Sequence, residues 1–81
     1  MKITHKSMIH GRCPHGAWDY YDVIVEPREF LTTEAMESVL DEFRGAEIYQ
    51  EALAQKLADR LKSSVTLRGR HGTVDTEVVA T

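Results

Sequence analysis

Hydrophobic positions along this chain change spacing twice, from every second residue to every third or fourth and back again. In residues 18–25 the β-branched and aromatic content is high. Tyr21, Val23 and Val25 fall on one side with Asp19, and Tyr20, Asp22 and Ile24 fall on the other. A period of two predicts a strand with one buried face. A weaker strand is expected over residues 3–11, with Gly11 and Pro14 marking the bend that follows and Pro27 ending the second strand. Thr32 or Thr33 then offers an N-cap, and Glu34 and Glu37 put negative charge where a first helical turn favours it. Met36, Val39, Leu40 and Phe43 recur as one helical stripe, and Gly45 is its natural stop. A second helix is expected over residues 48–61, with Leu53, Leu57 and Leu61 beside Ala54 and Ala58 as its apolar face. Two short strands, residues 65–70 and 74–80, close the pattern around the turn glycine of residues 70–73. The order β-β-α-α-β-β predicts an α+β fold, a four-stranded antiparallel sheet with two helices on one face. The other face is left for a partner.

Length and charge narrow the possibilities. The 81 residues are expected to form one domain, residues 1–81, with oligomerisation supplying stability that so short a chain lacks alone. One cysteine allows no internal disulfide and no four-cysteine zinc site. No apolar run is long enough for a membrane span and no signal peptide opens the chain, so no membrane partner and a cytoplasmic location are expected. A formal charge of −3 gives no general basic footprint for nucleic acid. Arg68, Arg70 and His71 are a local exception able to meet a phosphate or carboxylate, or simply the solvated end of a hairpin.

Chemistry concentrates in the turn His10-Gly-Arg-Cys-Pro-His-Gly-Ala-Trp-Asp19. A thiol six residues ahead of a carboxylate offers a nucleophile and a proton donor together, the pairing that nucleophilic chemistry needs. Cys13 is the candidate nucleophile and Asp19 the candidate acid, since apolar neighbours on its strand face would favour the protonated form. His10 and His15 are near enough in sequence to assist the thiol, or are ordinary loop histidines. A lone cysteine also has a plain reading, as a small apolar residue.

The order of elements is the repeat unit of the tunnelling fold, and the residues themselves carry a resemblance. Cys13-Pro14 followed by Asp19 resembles the Cys-Pro…Pro-Asp segment of the QueF nitrile reductases of queuosine biosynthesis. Phe43-Arg44 with Glu51 matches that family's Phe-Arg…His-Glu segment at the same separation. The stretch Tyr49-Gln-Glu-Ala-Leu-Ala-Gln-Lys-Leu-Ala-Asp-Arg-Leu61 is similar to the second helix of GTP cyclohydrolase I, where a Gln-Glu pair also opens the helix. Val65-Thr-Leu-Arg-Gly-Arg-His71 looks like the following strand in both families. The likeness spans nearly the whole chain, in order. It implies that Cys13 attacks the nitrile of 7-cyano-7-deazaguanine (preQ0) to form a thioimide, with Asp19 as acid. Glu51 would anchor the purine-like ring, helped by Gln50 and His71 as substrate contacts. A carboxylate suits the anchoring role because it can accept from a ring N–H and an exocyclic amine together. The resemblance also implies a homo-oligomeric barrel with sites at subunit interfaces, where Glu51 of one chain would face Cys13 of its neighbour.

Two departures adjust the expected reaction. The reductases carry lysines in the first-helix region for NADPH, whereas residues 33–43 here hold four carboxylates and no lysine or arginine. Such a segment would repel a dinucleotide phosphate, so no cofactor is expected. GTP cyclohydrolase I holds zinc through two cysteines and a histidine, and one cysteine leaves that ligand set incomplete, so no metal is expected either. The expected activity is therefore that of QueF-like relatives in archaeosine-type modification: an amine adds to the thioimide and the nitrile becomes an amidine. The 7-deazaguanine is expected either as a free base or as part of a modified nucleic acid. Two other classes stay open at this point: a non-catalytic tunnelling-fold module binding a purine or pterin, and a two-layer α+β interaction domain.

Overall fold

The structure is a computed structural model that describes residues 3–16 and 18–81. Strands β1 (His5–Arg12) and β2 (Trp18–Pro27) come first, then helices α1 (Thr33–Phe43) and α2 (Gln50–Leu61), then strands β3 (Ser63–His71) and β4 (Val74–Ala80). The strands lie in the order β1-β2-β3-β4, every neighbouring pair antiparallel. This is the architecture that the period of the hydrophobic pattern predicts.

Both stripes read from the sequence face the sheet. In α1, Met36 and Leu40 are buried while Val39 and Phe43 pack at the margin of the core. Thr32 is the N-cap, its hydroxyl accepting from the Ala35 N–H at 3.1 Å. Glu34 occupies the first turn, whereas Glu37 lies a turn further on and faces Arg44 at 3.8 Å. In α2, Leu53, Ala54, Leu57, Ala58 and Leu61 are all buried, against Val23, Val25, Val65 and Leu67 of the central strands.

Of the boundaries that differ from the expected ones, two have identifiable reasons. Helix α2 begins at Gln50, later than its periodicity suggests, because the Ile48 N–H bonds to the Arg12 carbonyl at 3.0 Å. Strand β3 begins two residues early, at Ser63. Lys62 turns the chain in one left-handed residue (φ 50°), and the Ser63 hydroxyl donates to the Leu61 carbonyl at 2.8 Å. The β3–β4 hairpin turns at Gly72, whose φ of 62° is the conformation for which the turn needs glycine.

The second face of the sheet is uncovered in a single chain. Met8, Trp18, Tyr20 and Val79 are each more than half exposed there. Among them run cross-strand ion pairs, Arg68 with Glu77 at 2.8 Å and Arg70 with Asp75 at 3.2 Å, so these arginines meet carboxylates of their own hairpin. Among the described residues no helix is long and apolar enough to cross a membrane.

Candidate active site

The site residues collect at one end of the covered face, and backbone pairing puts them there. A tight turn follows β1, closed by the Gly16 N–H on the Cys13 carbonyl at 2.8 Å, and it carries Cys13 as a half-buried free thiol. The segment between the helices then runs beside the last residues of β1. Gly45 N–H bonds to the His10 carbonyl at 2.9 Å, Arg12 N–H to the Ala46 carbonyl at 2.9 Å, and Ile48 N–H to the Arg12 carbonyl. This lacing holds the first turn of α2, and so Glu51, next to the cysteine turn. Tyr49 adds a side-chain contact, its hydroxyl 3.5 Å from Nε2 of His15 with the two rings edge to face.

Asp19 opens β2 on the covered face and is only 7% exposed. The Tyr21 hydroxyl donates to its Oδ2 at 3.2 Å, and Nδ1 of His71 stands 3.9 Å from its Oδ1. The Tyr21 ring lies across Gly69. A β-carbon there would come within 2.5 and 2.7 Å of the ring carbons, so β3 passes under the ring only because that residue is glycine. Burial pushes the Tyr21 phenol well above its usual range. The adjacent Asp19 charge and hydrogen bond push the same way, with smaller contributions from Cys13 and Glu51. Asp19 thus meets Tyr21 directly, while Cys13 in the turn and Glu51 in the first turn of α2 stand at the same end of the sheet.

Gln50 is placed differently from the expected substrate contact. It is buried, and its amide nitrogen donates to the carbonyls of Leu67 at 3.0 Å and Thr76 at 3.2 Å. Its oxygen accepts from the Thr76 hydroxyl at 2.7 Å. Both N–H groups are committed to the protein, so Gln50 ties the start of α2 to β3 and β4 and has no N–H left for a ligand. His10 is a strand residue rather than a loop one, and its ring packs on the open face between Trp18 at 5.9 Å and Tyr20 at 6.2 Å. Glu51 itself is exposed. Among the described residues, no three of His, Cys, Asp and Glu are grouped to hold a metal ion.

Tyr21 is the site residue that sequence reasoning passes over, because its spacing marks it simply as core. The available signal is that Asp19 and Tyr21 share one strand face two residues apart, which lets a buried phenol reach a buried carboxylate.

No protein-family model matches the chain, and no curated protein does. Among solved structures, the crystal structure of the archaeosine synthase QueF-Like in the apo form is similar, with a TM-score of 0.87 and 30% sequence identity. The match covers 98% of this chain and 90% of that one.

Proposed function

Because the chain belongs to the QueF-like family of tunnelling-fold proteins, we propose that it adds an amine across the nitrile of a 7-cyano-7-deazaguanine group, through a thioimide on Cys13. The observation that carries this reading is the backbone lacing of residues 45–48 onto the end of β1, which sets the first turn of α2, with Glu51, beside the turn of Cys13 at the end of the sheet where Asp19 is buried. The reading assigns Cys13, Asp19 and Glu51 as nucleophile, proton donor and ring anchor, the groups this addition needs.

In the first half-reaction the Cys13 thiol gives its proton to solvent, its sulfur bonds to the nitrile carbon, one C–N π bond breaks, and the nitrogen takes a proton from Asp19. Glu51 accepts from the ring N–H and exocyclic amine of the base, fixing the nitrile over the thiol. In the second, an amine nitrogen bonds to the thioimide carbon and loses a proton, the C–S bond breaks, and an amidine leaves with Cys13 restored. Tyr21 holds the Asp19 carboxyl by one oxygen and leaves the other for proton transfer. The α1 surface supports amine addition over reduction by NADPH, since it carries the carboxylates Glu34, Glu37, Asp41 and Glu42, and the arginines that reach it, Arg44 and Arg60, are already paired with Glu37, Asp41 and Glu42. The base is taken either free or within a nucleic acid.

The test is intact-mass spectrometry after incubation with 7-cyano-7-deazaguanine. The protein gains the mass of the ligand, and Cys13→Ala gains nothing while melting at the same temperature. A folded wild-type protein that binds the base without a covalent adduct would instead be a non-catalytic purine-binding module.

A further inference from the structure

We propose that His71 relays protons from solvent to Asp19, so that it acts through the carboxyl rather than by touching the substrate; this rests on the nitrile reading above. Asp19 is nearly closed off from water, and an acid in that position needs a route by which its proton is replaced. Among the described residues the surroundings leave one. Tyr21 occupies Oδ2, and on the β1 side the register partner of Asp19 is Gly11, which has no side chain to offer. On the β3 side His71 faces the free oxygen, Oδ1, at 3.9 Å, about 1 Å beyond hydrogen-bond contact. The His71 side chain is 43% exposed against 7% for Asp19, so it reaches from the closed carboxyl to bulk water. It ends β3 just before the Gly72 turn, opposite the apolar Val74.

The other charged groups do not compete for this position. Arg70 and Asp75, next to His71 on the hairpin, are paired with each other. Cys13 belongs to the turn after β1 and Glu51 to the first turn of α2, elements other than the hairpin that carries His71. Imidazole exchanges protons with water near neutral pH, which suits a relay. The balance is closed. As Asp19 gives its proton to the nitrile nitrogen, the imidazolium of His71 passes its own to Oδ1 in the same step, so that adduct formation itself draws on His71. The neutral imidazole then takes from water a proton equivalent to the one the Cys13 thiol released.

The experiment follows adduct formation by intact mass against pH, with 7-cyano-7-deazaguanine as the probe. It uses wild type, His71→Ala with and without added imidazole, and His71→Gln, each first shown to be folded by its melting curve. A relay predicts adduct formation slowed on the order of tenfold or more in both variants. It also predicts loss of the near-neutral limb of the pH profile and partial rescue of His71→Ala by imidazole. Variants with wild-type rate and profile overturn the relay while the Cys13 reading stands. Slowing with an unchanged profile and no rescue also overturns it, since that pattern marks a merely structural role. A wild-type protein that forms no adduct at any pH overturns both.

Discussion

The covered face of the sheet has two ends built on different principles. Toward the C-terminal end of α2, Leu57, Leu61, Val25 and Val65 belong to the apolar core, and the buried Ser63 beside them spends its hydroxyl locally on the Leu61 carbonyl. Toward its N-terminal end the same helix and strands bury Asp19, Gln50 and Tyr21, each hydrogen-bonded. Buried polar groups add little net stability even when satisfied, and they are expensive to leave unpaired. An apolar filling would stabilise that end at least as well. The contrast teaches that one end is organised for stability and the other for placing a thiol, two carboxylates and an imidazole. The two can be separated by mutation.

The largest effect is expected at the apolar end. Leu57 is fully buried, and Leu57→Ala should lower unfolding stability by about 2–5 kcal/mol through lost burial and the cavity left behind. A denaturant titration reads this as a lower midpoint at constant slope. Under conditions where the variant stays folded, adduct formation at Cys13 should persist. A stable variant with a dead Cys13 would show that the two ends are not separate.

A smaller loss is expected where the ends join. Gln50→Leu keeps side-chain bulk but leaves the Leu67 carbonyl and the Thr76 hydroxyl without their partner, costing roughly 1–3 kcal/mol. A tie predicts lower stability with affinity for the deazaguanine nearly unchanged. A ligand contact predicts the reverse, weaker binding at unchanged stability, so the pair of measurements decides between them.

That residue also shows how far the sequence could be read. Helix stripes such as Leu53, Leu57 and Leu61, and the alternation through Tyr21, Val23 and Val25, are legible because burial repeats at the period of the element. Gln50 lies on the α2 stripe three residues before Leu53, so its burial follows from spacing, but its partners on β3 and β4 do not. Cys13, Asp19 and Glu51 are nameable from residue type and family resemblance. Their convergence is not, because it depends on residues 45–48 lying along the end of β1, a backbone pairing without a side-chain signature. Residues such as Gly69 and Tyr21 gain their meaning only from which strand passes beneath which ring.

Tyr21 gives the smallest effect and the finest test of the polar end. Tyr21→Phe keeps the ring over Gly69 and deletes only the hydroxyl that Asp19 accepts, for a loss of about 0.5–1.5 kcal/mol near neutral pH. The pH dependence separates this bond from simple packing. The folded phenol is raised above its ordinary value of 10.0, so above that pH the unfolded chain releases a proton that the native chain retains. Stability then falls as pH rises, because the native state binds more protons than the unfolded one. The Tyr21 contribution is fully present below pH 10 and is lost progressively above it. Tyr20 and Tyr49 are exposed and remain in the variant, so the difference between the two proteins reports Tyr21 alone. Equilibrium unfolding from pH 8 to 11.5 should show a constant offset at the lower end and convergence at the upper. Curves that stay parallel throughout would mean that the phenol is not held protonated against Asp19, and the polar end would lose its central contact.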